Sequence, residues 1–186
     1  MSHRTGAAFV LLVNGLLIAA LHCGAARPPA VNQGGVSVLF SPDGGCDDAL
    51  VTAIHDARKT LDIAAYHITH TKIAKAIVDA NRRGVSVRVI MDKSQTQAKY
   101  SSATYLHNAG VPVTTWEAGV MHNKFIIIDG GDVFTGSFNF TKAADEQNAE
   151  NLLLIEAKPR VTAAYRQQFD KLLQASRRYT PVAPTE

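Results

Sequence analysis

A mixed α/β domain, with a largely parallel β-sheet sandwiched between helices, is the fold class this sequence predicts, and three observations predict it. Between residues 36 and 115, short β-branched runs alternate with helical periodicities, the rhythm of strands joined by crossover helices. Beyond residue 125 the rhythm changes to two apolar runs flanking Asp129-Gly130-Gly131-Asp132, a hairpin signal. The length, 186 residues at 46% hydrophobic and 19% charged, suits one such domain with a full core and excludes two large ones. It also excludes a disordered tail or a collagen-like repeat.

The elements follow in order. Residues 1–26 carry a single charge, Arg4, then an apolar run from Ala7 to Leu21 and the small residues Gly24-Ala25-Ala26. The run is shorter than the roughly 20 residues of a spanning helix, so it reads as a signal peptide cleaved after Ala26 rather than a retained anchor. Residues 27–35 read as a linker and 36–178 as the domain. Within it, 36–40 alternates as a strand and runs into the turn Ser41-Pro42-Asp43-Gly44-Gly45. Residues 47–59 space Leu50, Ala53, Ile54 and Ala57 as a helix, and 61–66 is a short apolar strand. Residues 72–83 repeat the helical spacing and close on Gly84. A strand at 85–91, a helix at 96–108 ended by Gly110 and a strand at 111–115 complete the alternation. Strands at 125–128, 133–136 and 151–156 follow, then an amphipathic helix from Pro159 to near Arg178. Residues 179–186 read as a flexible tail.

Nineteen basic against 16 acidic side chains, with a pI near 8.9, give a mildly cationic surface that tolerates a polyanion without demanding one. Loss of the first 26 residues removes Cys23 and leaves Cys46 alone. No internal disulfide or cysteine zinc site is then expected, and Cys46 reads as a small buried apolar residue.

The chemistry lies between Met121 and Thr141. Alternate strand residues share a face, so His122 and Lys124 point the same way, and Ser137 and Asn139 share a face at the end of the returning strand. An imidazole supplies a nucleophile or proton carrier, an ammonium fixed positive charge, and a hydroxyl and an amide directional donors. Together they suit one anion. Either cation alone would be an ordinary member of a solvated strand face; the spacing decides otherwise. His122, Lys124, Asp129, Gly136-Ser137 and Asn139 stand at the spacing of the phospholipase D superfamily signature. Phe40-Ser41-Pro42, Ala65-Tyr66, Arg83-Gly84-Val85, the segment ending in Asp92, the run from Gly136 to Ala144 and Asn148-Ala149-Glu150-Asn151 are similar to segments of its small secreted bacterial endonucleases, the Nuc type. The resemblance covers nearly the whole chain after residue 36.

It implies a phospholipase D-like fold with one motif per chain, and a phosphodiesterase without metal or other cofactor, in which His122 attacks phosphorus and becomes a phosphohistidine. Lys124 and Asn139 would hold the non-bridging oxygens and Ser137 would assist. Asp129 would orient and support from outside the phosphate pocket. Glu150 matches the acidic residue that hydrogen-bonds the catalytic imidazole. One histidine cannot both attack and protonate the leaving oxygen on the opposite side, so the single motif implies a homodimer with a shared site.

Other candidates rank lower. His67 and His70 could recruit a metal but read as pocket lining or surface, for want of a cysteine or carboxylate set beside them; His55 and His107 read as surface or cap, and Tyr66 as core, with lining of the substrate groove as the alternative. Arg82, Arg83, Arg88, Lys93 and Lys99 read as solvated charges, with a phosphate-tracking patch as the alternative. Three functions stay open: a non-specific exported endonuclease acting on DNA or RNA in the periplasm or outside the cell; a phospholipase D or cardiolipin-type lipid hydrolase; and a catalytically silent binding protein. The complete motif argues against the last. No stable membrane association is expected once the signal is removed.

Overall fold

The computed structural model describes residues 31–181; the signal peptide, residues 27–30 of the linker and 182–186 of the tail lie outside the described residues. The order is β1 (Val31–Gln33), β2 (Val36–Ser41), α1 (Cys46–Asp56), β3 (Thr60–Ala65), α2 (Thr71–Arg82), β4 (Ser86–Asp92), α3 (Lys93–Thr96), α4 (Ala103–Asn108), β5 (Val113–Trp116), β6 (Lys124–Ile128), β7 (Asp132–Gly136), α5 (Lys142–Glu146), β8 (Glu150–Ile155), α6 (Pro159–Gln174) and β9 (Ser176–Arg178). The described strands form one sheet in the order β1-β2-β8-β7-β6-β3-β4-β5-β9.

The mixed sheet between helices is the predicted class, but its parallel part is smaller than the alternation implies. Strands β2, β3, β4 and β5 do run the same way, yet β8, β7 and β6 insert between β2 and β3, so that only β3-β4 and β4-β5 are parallel neighbours. The insertion follows from short connections: the turn at 129–131 forces β6 and β7 antiparallel, and β8 returns beside β7.

Both faces of the sheet are covered. On one face Leu61, Ile63, Ile126 and Ile128 meet Leu50 and Ile54 of α1 and Ile73 and Ile77 of α2. On the other, Ala64, Ile90, Phe125 and Ile127 meet Phe169 and Leu172 of α6. Alternate residues of β3 and β6 thus serve opposite layers, which is why Phe125-Ile126-Ile127-Ile128 is an unbroken buried run. The α2 helix ends where Gly84 adopts φ 89° and the Val85 N–H reaches the Ala80 carbonyl at 3.1 Å, a C-terminal cap that glycine permits without strain.

Three boundaries depart from the sequence reading. Residues 31–33, assigned to the linker, form an edge strand hairpinned onto β2. The helix expected over 96–108 divides into α3 and α4, because the Asp92 side chain caps a short turn and residues 97–101 bury no apolar side chain to continue it. The last helix ends at Gln174, and 176–178 pair with β5 as β9. The start of the tail is also anchored: Tyr179 is buried, its N–H bonds the Val113 carbonyl, and its hydroxyl lies 2.7 Å from Thr104 Oγ1.

Candidate functional site

The site forms at the sheet edge where β3 and β4 end and β6 and β8 begin. Register builds it: Ala65 pairs with Lys124, Met91 with Ala65, and Ser41 with Glu150. Crevices at the carboxyl ends of parallel strands are where α/β sheets gather functional loops.

Lys124 opens β6 with only 7% of its surface exposed. Its Nζ donates to the His122 carbonyl at 2.7 Å and sits 5.2 Å from the Tyr66 ring centre. Burial pushes this ammonium below the ordinary lysine value, and the Glu150 carboxylate opposes that shift. No carboxylate forms an ion pair with it among the described residues. A nearly buried ammonium without a carboxylate partner is costly, and an anionic oxygen brought against it would offset that cost.

His122 lies exposed in the loop before β6. That loop is pinned by Asp92, whose buried carboxylate accepts the Met121 N–H at 2.7 Å and both the N–H and hydroxyl of Ser94. The imidazole packs on Tyr66, ring centres 4.5 Å apart at 60°. Tyr66, read from sequence as core, is half-buried at the site; Gln95 Nε2 donates to its hydroxyl at 3.0 Å. The signal that favours groove lining is its position one residue beyond β3, whose partner strand begins at Lys124.

Asn139 follows β7, and no side-chain hydrogen bond engages its amide among the described residues; its Oδ1 is buried without a partner. Ser137 is exposed, its Oγ accepting the Asn151 N–H at 3.0 Å. The turn that carries both needs Gly136: a Cβ there would lie 2.2 Å from the Asn151 carbonyl oxygen.

Glu150 departs from its expected contact, and Asp129 stands apart from the other motif residues. Glu150 accepts from Asn148 Nδ2 at 3.2 Å and forms no bond to the His122 of its own chain. Asp129 lies at the far end of β6, about 17 Å along the strand from Lys124 at ~3.4 Å per residue. There its carboxylate accepts the backbone N–H groups of Arg58, Lys59 and Thr60 at 2.9, 2.6 and 2.9 Å. Burial alone would raise this carboxyl, but the three N–H donors outweigh it and hold it below the usual range.

His67 is half-buried, its Nε2 unpartnered among the described residues, and burial lowers its basicity. His70, expected as pocket lining or surface, is instead buried beside Asp47, because it precedes α2 and is drawn under α1. His55 is exposed at the end of α1, and His107 packs edge-on against Tyr179. Four of the basic residues engage partners within the chain. Arg88 clasps Asp62 through two 2.7 Å bonds, Arg83 donates to the Ile54 and His55 carbonyls, Arg82 faces Asp79, and Lys93 pairs with Glu117. Cys46 is buried and free.

Comparison with known proteins places these features in a family. The family described as cardiolipin synthase, PLD-like domain, matches residues 50–173. Over 129 residues the chain is 40% identical to a phospholipase D of Rickettsia typhi, covering 69% of this chain and 63% of that protein; it thus spans under two thirds of that relative. A mitochondrial cardiolipin hydrolase of Chlamydomonas reinhardtii is 33% identical over 168 residues, covering 77% of this chain and 75% of the relative. In structure the chain is similar to a phospholipase D family member, Nuc from Salmonella typhimurium, with a TM-score of 0.75, 34% identity and 98% of that chain covered against 78% of this one.

Proposed function

The chain belongs to the PLD-like domain family, and we propose that it is a metal-independent phosphodiesterase, exported to the periplasm or medium, that cuts DNA or RNA without sequence preference as a homodimer. The observation that carries the reading is Lys124: a nearly buried ammonium with no carboxylate ion pair among the described residues, bonded to the carbonyl of the exposed His122. These groups meet a phosphate and nothing larger, so bases go unread. Nuc-like architecture over almost all of that neighbour's length supports the nucleic-acid choice.

In the proposed reaction the His122 imidazole attacks phosphorus. A P–N bond forms as the P–O bond to the leaving group breaks, and the leaving oxygen takes a proton from the partner subunit's His122. Water then attacks the phosphohistidine, the P–N bond breaks, and the water's proton passes to the partner's His122. Lys124 and Asn139 balance charge on the non-bridging oxygens as it grows. Ser137 assists from the same turn. Since Glu150 makes no bond to its own His122, it serves across the two-fold axis, orienting the partner's imidazole. The two imidazoles then titrate as a pair, one neutral and one protonated in the active form.

A second reading, lipid phosphodiester hydrolysis, is favoured by the names of the Rickettsia and Chlamydomonas relatives and by Phe40 and Val120, 61% and 73% exposed. Phe40 is in register with Asn151, next to Glu150, and Val120 lies two residues before His122. No described helix is long and apolar enough to cross a membrane. The test incubates the protein with plasmid DNA and with cardiolipin vesicles, each in excess EDTA, alongside His122→Ala. Plasmid cleavage that survives chelation and is lost in the variant is expected. Cleavage of vesicles alone would transfer the assignment to lipid, and loss of activity with EDTA would overturn the metal-free chemistry.

A further inference from the structure

Beneath the Asn139 turn lies a second cluster that the proposed chemistry does not use. Asp47 in the first turn of α1, His70 at the start of α2 and Asp145 in α5 each present one ligand atom, all within 4.8 Å of one another. Asp47 is 2% exposed and His70 6%. The His70 ring faces Asp47, with Nε2 3.7 Å from Oδ2, and its Nδ1 is buried without a partner among the described residues. Two carboxylates and an imidazole, drawn from three segments far apart in sequence, are thus gathered together, Asp47 and His70 buried and Asp145 half-buried.

The cation now facing them is Lys72. Its Nζ donates to Asp47 Oδ2 at 3.1 Å and lies 3.7 Å from Asp48. This side chain is 63% exposed, so its ammonium can turn to water at little cost. One imidazole and two carboxylates form a donor set of intermediate hardness, suited to first-row divalent transition ions. Ligands about 2.1 Å from an ion stand at most ~4.2 Å apart, so rotamer adjustments of under about 1 Å would close the group. We propose that Asp47, His70 and Asp145 form a divalent transition-metal site, with Zn2+ as its probe ion and Lys72 as the competing charge.

Such an ion would staple α1, α2 and α5. His70 and Thr69 both donate their backbone N–H groups to the Phe140 carbonyl at 3.0 Å, and α5 starts two residues later behind the Thr141 cap. The ion therefore braces the turn that carries Asn139, without touching the phosphate. Its effect is on stability, separable from a reaction that runs in EDTA.

The test is calorimetric titration of the EDTA-stripped, dialysed full-length chain with ZnCl2, with Tm measured in parallel. One ion per chain and a rise in Tm are expected. His70→Gln and Asp145→Asn should each weaken Zn2+ binding by at least about tenfold, and Lys72→Ala should strengthen it. Should the ligand variants fail to fold, Lys72→Ala and the Co2+ absorption spectrum of the wild type carry the test, a nitrogen-and-oxygen ligand field being expected. No binding by wild type, unchanged affinity in both ligand variants, or weaker binding in Lys72→Ala would overturn the proposal.

Discussion

Asp129 is the family-pattern residue whose position most sharply separates support from chemistry. In Asp129→Ala three backbone donors, those of Arg58, Lys59 and Thr60, lose one carboxylate. A hydrogen bond to a charged group contributes about 1.5–3 kcal/mol when shielded. Asp129 is exposed and water can replace it, so the loss is far below the sum of three such bonds, about 2 kcal/mol in all. At roughly 2–4 °C per kcal/mol for a chain of this size, Tm falls by about 4–8 °C. The folded pKa is depressed, so this contribution is fully present above the ordinary carboxylate value of about 3.9 and is lost as pH falls through the folded value. The difference between wild type and variant therefore shrinks in acid. Differential scanning calorimetry at several pH values reads the stability, and plasmid cleavage at 25 °C reads activity per folded molecule, expected within about twofold of wild type given the ~17 Å separation. A variant with unchanged Tm and activity reduced by orders of magnitude would refute the assignment of Asp129 to support.

Lys124→Met should lose about 10²–10³-fold or more in kcat while matching or exceeding wild type in Tm, because it removes a nearly buried cation. Since burial depresses the Lys124 pKa, the unfolded state binds that proton more tightly, wild-type stability rises with pH toward the ordinary lysine value, and the variant's advantage narrows there; thermal melts between neutral and alkaline pH check the sign. Tyr66→Phe keeps the ring against His122 and should retain most activity, whereas Tyr66→Leu should lower kcat/KM by about tenfold through a misplaced imidazole; steady-state kinetics on a short oligonucleotide distinguish them. Burial, then the carboxylates of Asp145, Asp47 and Glu150, push the Cys46 thiol up to about 11, so in a Cys23→Ser background a thiol reagent at pH 8 should fail to label native protein and label it fully in denaturant.

What the sequence disclosed and what it withheld divide along physical lines. Strand and helix identities in the first half were legible because Ile73, Ala76, Ile77 and Ala80 repeat at helical spacing, and because β6 has no polar residue between Lys124 and Asp129. Neighbour order was not, since the insertion of β6–β8 between β2 and β3 depends on long-range pairing that no local window contains. In the site, the spacing of His122, Lys124, Ser137 and Asn139 drew attention to one hairpin, whose register carries them to a common edge. Tyr66 was ranked as core ahead of groove lining because an aromatic residue after a strand is far more often core. The cluster of Asp47, His70 and Asp145 escaped notice for a different reason: its members are joined only by the packing of α1, α2 and α5. For the basic residues, read as solvated charges, sequence shows Arg88 but not that Asp62 lies beneath it.

The account turns on covalent transfer of phosphorus to His122. Rapid alkaline quench of the protein during turnover of an oligonucleotide, followed by peptide mass spectrometry, measures it directly. A base-stable, acid-labile phosphoryl adduct confined to His122 and absent from His122→Ala is the predicted result. Full turnover with no adduct on the chain, or an adduct on any other residue, would contradict it.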